Sequence, residues 1–112
     1  MNIVKLNTPF DYIATLRERP AIFWGNRRSL SYIYFYIQGF LMGRAGTDLG
    51  IDKMTADFTA KNGFQSFVAN KFNITNNAQP WYSIIEFETN SQDEAFDVFY
   101  ELLNEFFDNQ KS

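Results

Sequence analysis

Apolar residues recur along the last third of the chain with the period of an α-helix. At 100° per residue, Ala95, Val98, Phe99, Leu102, Leu103, Phe106 and Phe107 fall on one side, with Phe96 at its edge. Asp93, Glu94, Asp97, Glu101, Asn104, Glu105 and Asp108 fall on the other. Ser91 followed by Glu94 has the spacing of a capping box, in which each side chain accepts from the other residue's free backbone N–H, so the helix is expected to start there. Near the beginning, Thr8-Pro9 combines an N-cap with proline at the first helical position. Phe10, Ile13, Ala14 and Leu16 then follow at helical spacing, and the helix is expected to stop at Arg19, before Pro20. Ser29 opens a second helix in which Leu30, Ile33, Ile37, Phe40 and Leu41 line one face. Tyr34, Phe35, Tyr36 and Met42 cover much of the remainder, the pattern of a helix at the centre of a bundle. Residues 32–37 are also strand-prone in composition; the helical reading rests on length and on continuation past Gln38.

Shorter segments fill the interval. Residues 53–60 form a weak helical stretch around Met54 and Phe58, interrupted by Asn62-Gly63. Phe64, Phe67, Val68 and Phe72 then draw the stripe of a short amphipathic helix. After a polar loop over 73–79, Pro80 opens Trp81, Ile84, Ile85 and Glu88 at helical spacing, although Trp81, Ile85 and Phe87 also alternate as they would along a strand. Residues 21–26 read as an apolar plug ending in a Gly-Asn turn, and Gly43, Gly46 and Gly50 mark a connection. The expected fold is mainly α: a compact single-domain helical bundle over residues 1–112, with the acidic last helix packed across the Tyr/Phe-rich one. The alternative is α+β, with Val4 or the Trp81 segment contributing one or two short strands.

Composition narrows the chemistry. Thirteen Phe, six Tyr and two Trp give a 112-residue chain a large apolar area for few rotatable bonds. There is no Cys and no His. Disulfides, thiolate nucleophiles, zinc sites built on these ligands and imidazole bases are therefore excluded, leaving carboxylates, Lys, Tyr or a hard cation for any catalysis. No cofactor or metal is expected. Asp48 and Asp52 lie in a loop without the alternating oxygen ligands of a calcium site. The first residues lack the apolar core of a signal peptide, and the longest apolar run, residues 33–42, is too short to cross a bilayer, so a cytoplasmic protein without membrane contact is expected. Asn73-Ile74-Thr75 then reads as loop composition rather than a glycosylation site. Gly39-x-x-x-Gly43 reads as a packing notch or helix terminus.

Net charge is only −3, but it is unevenly spread. Residues 1–45 carry Lys5, Arg17, Arg19, Arg27, Arg28 and Arg44 against Asp11 and Glu18; the remainder carries four lysines against eleven acids, and none of those lysines lies between Phe72 and Gln110. On the last helix five like-charge pairs at i,i+3 or i,i+4 cost about 1–2.5 kcal/mol before screening. A face shaped only for stability would carry Lys among these acids. One reading is a solvated face that keeps an aromatic-rich protein soluble. The other is a docking surface for a basic partner, formed by Asp93, Asp97, Glu101, Glu105 and Asp108. The arginines around the aromatic plug work against an acidic overall field, with a pI near 4.8, so nucleic acid is not expected as a partner. They are expected to cap the first helix and pair with the acidic half.

The segment Arg17-Glu18-Arg19-Pro20-Ala21-Ile22-Phe23-Trp24-Gly25 resembles the R-x-x-P-x-[MI]-[YF]-x-G opening of small bacterial immunity proteins from polymorphic-toxin and contact-dependent growth-inhibition loci. Ala21 and Ile22 stand where Gly-Met is commoner. The similarity continues through Ser29-Leu30 to Gly39, Phe64 to Val68, Trp81 to Ile85, and the acidic Ala95 to Phe99 segment, in the same order over roughly residues 10–107. The resemblance implies an immunity protein that neutralises a cognate toxin domain by stoichiometric occlusion. Many such toxins are basic nucleases, which an acidic face would suit, and no small-molecule substrate or catalysis by this chain is then expected. Two rivals stand beside it. One is a carboxylate hydrolase using Glu86 and Glu88, or Asp97 and Glu101. The other is an adaptor or oligomerisation module, binding a basic protein partner or joined through exposed aromatics.

Overall fold

Proline at a first helical position, apolar residues at i, i+3 and i+4, and stop signals at glycine and proline give a chain of helices in the computed structural model, which describes residues 9–18, 29–44, 52–75 and 79–110. They are α1 (Pro9–Glu18), α2 (Leu30–Arg44), α3 (Lys53–Thr59), α4 (Phe64–Lys71), α5 (Trp81–Phe87) and α6 (Gln92–Gln110). No strand occurs among the described residues, so the mainly α expectation stands and the α+β alternative falls at residues 81–88; Val4 lies outside the described residues. Also outside them are the apolar plug at 21–26, most of the Arg17 to Gly25 motif, Arg19, Arg27, Arg28, Gly46, Asp48 and Gly50.

The short helices are fixed by local bonds. Asp52 caps α3: one carboxylate oxygen accepts from the Thr55 backbone N–H at 2.9 Å and the other from the Thr55 hydroxyl at 2.8 Å. This lets Thr55 be fully buried with its hydroxyl satisfied. The turn into α4 needs glycine, because a Cβ at Gly63 would lie 2.3 Å from the Phe58 carbonyl oxygen and 2.6 Å from that of Asp57. At the other end of α4, Asn73 takes a left-handed conformation at φ 60°, and the Ile74 and Asn73 N–H groups donate to the carbonyls of Ala69 and Asn70. This is a Schellman ending, in which asparagine is favoured when glycine is absent, and it accounts for Asn73 structurally.

The core is aromatic. Phe64, fully buried, stacks on Phe58 at 4.7 Å and meets the edges of Trp81, Phe106 and Phe99 at 5.2, 5.7 and 5.9 Å; Trp81 in turn stacks on Phe99 at 5.1 Å. The short helices α4 and α5 and the long α6 thus meet around one ring cluster, with α3 packed on α4 and the α1–α2 pair against α5 and α6. The expected central position of α2 is corrected here. Only Leu30, Ile33 and Ile37 are buried, Leu41 packs partly against the core, and the opposite face stays exposed at Tyr32, Phe35 and Met42. A single apolar stripe satisfies its packing against α1, α5 and α6 because the Phe64 cluster already fills the middle.

Candidate partner-binding surface

The acidic face is built by the register of α6. Ser91 Oγ accepts from the Glu94 backbone N–H at 3.1 Å, while the Glu94 carboxylate accepts from the Asn90 N–H at 3.3 Å. The box therefore forms with its return bond one residue earlier than expected. From that start, Ala95, Phe96, Phe99, Tyr100, Leu102, Leu103 and Phe106 turn into the core, and Asp93, Asp97, Glu101, Glu105 and Asp108 are all exposed. The buried arc departs from the sequence pattern at its edges: Tyr100 joins it, while Val98 and Phe107 are only partly buried. Tyr100 is buried because its hydroxyl donates to the Ile13 carbonyl of α1 at 2.6 Å, which removes the cost of taking the phenol out of water.

The five acids are not equivalent. Glu105 accepts from Lys71 of α4 at 2.7 Å, so its charge is matched within the fold. Asp97 and Glu101 make no ion pair or side-chain hydrogen bond among the described residues and form the middle of the stripe, with Asp93 toward its N-terminal end and Asp108 toward its C-terminal end. Of the arginines around the plug expected to cap the first helix and pair with the acidic half, Arg19, Arg27 and Arg28 lie outside the described residues. Arg17 lies with its guanidinium 5.0 Å from the centre of the Tyr100 ring, a cation–π contact at the end of α1. Arg44, at the end of α2, lies 4.9 Å over Phe40.

The alternative carboxylates are arranged differently. Glu86 is half-buried and accepts from the Gln92 amide at 2.8 Å, beside an open cleft of about 290 Å³ lined by Thr89, Asn90, Ser91 and Ala95. Glu88 is exposed at the C-terminal cap of α5. Two residues apart on a helix, the two side chains do not face each other and share no reacting position. No cluster of three or more acids placed to hold a metal ion occurs among the described residues. Nor is any described helix long and apolar enough to cross a membrane.

Two surface features escaped the sequence reading. On α1 and α2 the Tyr12 and Tyr32 hydroxyls are 3.1 Å apart, and the Tyr12 and Tyr36 rings 4.6 Å apart. The hydrogen bond to Tyr32, with burial adding to it, pushes the Tyr12 phenol up to about 12; burial and then Tyr32 push Tyr36 up as well. The second feature is apolar: Phe35 is 63% exposed, Met42 77% and, at the end of α5, Phe87 79%. The even apolarity of α2 around its circumference is the available signal for Phe35 and Met42, but apolarity alone suits a buried side as well as an exposed one. Compared with protein families, curated proteins and solved structures, the chain finds no match.

Proposed function

We propose that this chain is a cytoplasmic immunity protein that neutralises a toxin domain by covering it, using the exposed acidic stripe of α6 against a basic protein surface. The observation that carries the reading is the state of Asp97 and Glu101. Both are exposed in the middle of a like-charged stripe, and no cation offsets either among the described residues. Unmatched charge of one sign costs the isolated fold free energy, and a basic partner recovers it on binding while the field speeds encounter. Occlusion needs no chemistry from this chain, in keeping with a composition that has neither His nor Cys. The resemblance of the Arg17 to Gly25 segment to immunity proteins supplies the class of partner, a bacterial toxin domain such as a basic nuclease.

The test begins with the gene neighbourhood: a large toxin gene immediately upstream is expected, and its absence favours the adaptor reading. The toxin domain encoded there is then purified and its association rate with the protein measured at several salt concentrations. Asp97→Lys and Glu101→Lys are expected to slow association at low salt and to abolish protection of cells expressing the toxin domain. Lys71→Gln, which frees Glu105, is expected to leave binding unchanged or stronger. If the Asp97 and Glu101 variants fold normally, bind at the parental rate and still protect, the stripe is a solvated face and the reading fails.

A further inference from the structure

We infer that the outer face of α2 is a docking surface for a second copy of this chain, which makes the protein a weak homodimer. Leu30, Ile33, Ile37 and Leu41 form the buried stripe of α2. Half a turn away lie Phe35, Gly39 and Met42, with Gly43 beside them, all exposed. The helix carries no charged residue before Arg44. A helix that is uncharged and largely apolar round its circumference is expected to be covered all round, and among the described residues this one is covered on one side. Among the described residues a Cβ added at Gly39 or Gly43 would meet nothing within 4 Å, so the backbone there lies open to close approach.

The occupant follows from shape, charge and area. A charged partner surface would be desolvated against this face with nothing to pair it, so an apolar surface such as the same face of a second copy fits it best. In an antiparallel two-fold pairing centred on Gly39, Phe35 of each copy stands opposite Gly43 of the other, and the two Gly39 residues meet at the axis. A bulky side chain thus faces an open backbone position twice, as the self-complementarity of a two-fold interface requires. Phe35 and Met42 with the glycines and their neighbours expose on the order of 500 Å² per copy, or about 1,000 Å² for the pair, the lower edge of what a specific interface buries. That area suits a reversible dimer rather than an obligate one. The surface shares no residue with the α6 stripe, so the inference stands or falls independently of the proposed function.

Sedimentation velocity and light scattering of the purified full chain over a concentration series provide the test, with Phe35→Glu and Gly39→Leu as variants. A concentration-dependent dimer is expected for the parent, and each variant should weaken it by at least about tenfold while leaving circular dichroism and thermal midpoint in the folded range. Asp97→Lys should leave the dimer unchanged. A parent that stays monomeric at the highest soluble concentration overturns the inference, as does a dimer indifferent to both variants. Binding of the monomeric parent to neutral phosphatidylcholine vesicles, lost in Phe35→Glu, would likewise overturn it by assigning the face to a lipid surface.

Discussion

Replacing Asp97 by Lys should make the protein more stable. In the parent, Asp97 lies at i,i+4 or i,i+3 from Asp93, Glu94 and Glu101, all on the exposed side of α6. Each like-charge pair costs about 0.2–0.5 kcal/mol and each opposite pair contributes about as much, so inverting position 97 swings three pairs by about 1–3 kcal/mol in total. Screening at physiological salt leaves about half, roughly 0.5–1.5 kcal/mol, which raises the thermal midpoint of a domain this size by about 2–6 °C. Position 97 lies beyond the first turn, so the helix dipole subtracts little. Asp97→Asn removes the repulsions without adding attractions and should give about half the gain. Urea denaturation of the three proteins at low and high salt measures this directly, and the differences should shrink as salt rises. A destabilised Asp97→Lys protein, or a gain indifferent to salt, would refute the argument that repulsion along this stripe is a standing cost of the fold.

Three further outcomes follow from particular contacts. Gly63→Ala should destabilise the protein by about 2–3 kcal/mol in chemical denaturation, because the new methyl meets backbone carbonyls that cannot swing aside. Tyr100→Phe should cost about 1–2 kcal/mol by the same measurement, since it removes the donor to the Ile13 carbonyl in a buried site. On alkaline titration followed by tyrosinate absorbance, Tyr12 should ionise last, near pH 12. Its folded value lies above the unfolded one, near pH 10, so its contribution to stability is complete below about pH 10 and lost as pH rises toward 12. Tyr32→Phe should bring that late step down.

The helical period carried most of the fold, and the places where it was ambiguous were settled by long-range packing. At residues 81–88 the two readings differed over Phe87. A strand would bury Trp81, Ile85 and Phe87 together, whereas the helix buries Trp81, Ile84 and Ile85 and leaves Phe87 in water, as observed. The acidic face of α6 was fully legible, because every charged position followed from one angle. The edges of its apolar side were not, since Tyr100 is drawn inward by a carbonyl 87 positions away while Val98 and Phe107 are only partly buried. The same holds for Glu105, whose partner Lys71 is 34 residues distant and on another helix. Position in the bundle is the other quantity that periodicity lacks. The composition of α2 suits a central helix, but Phe58, Phe64, Trp81, Phe99 and Phe106, contributed by four other helices, occupy the centre first.

The two exposed faces obey different physics, and this makes them compatible on so small a chain. The α6 stripe acts through a field that reaches about 8 Å at physiological salt and weakens as salt rises. The outer face of α2 acts only at contact, through apolar area, and salts excluded from protein surfaces strengthen it. A basic partner at α6 would gain nothing from the uncharged α2, and a second copy paired through α2 would leave the acidic stripe unused. Salt therefore separates the two: association through the stripe should slow as salt rises, whereas pairing through α2 should hold or tighten.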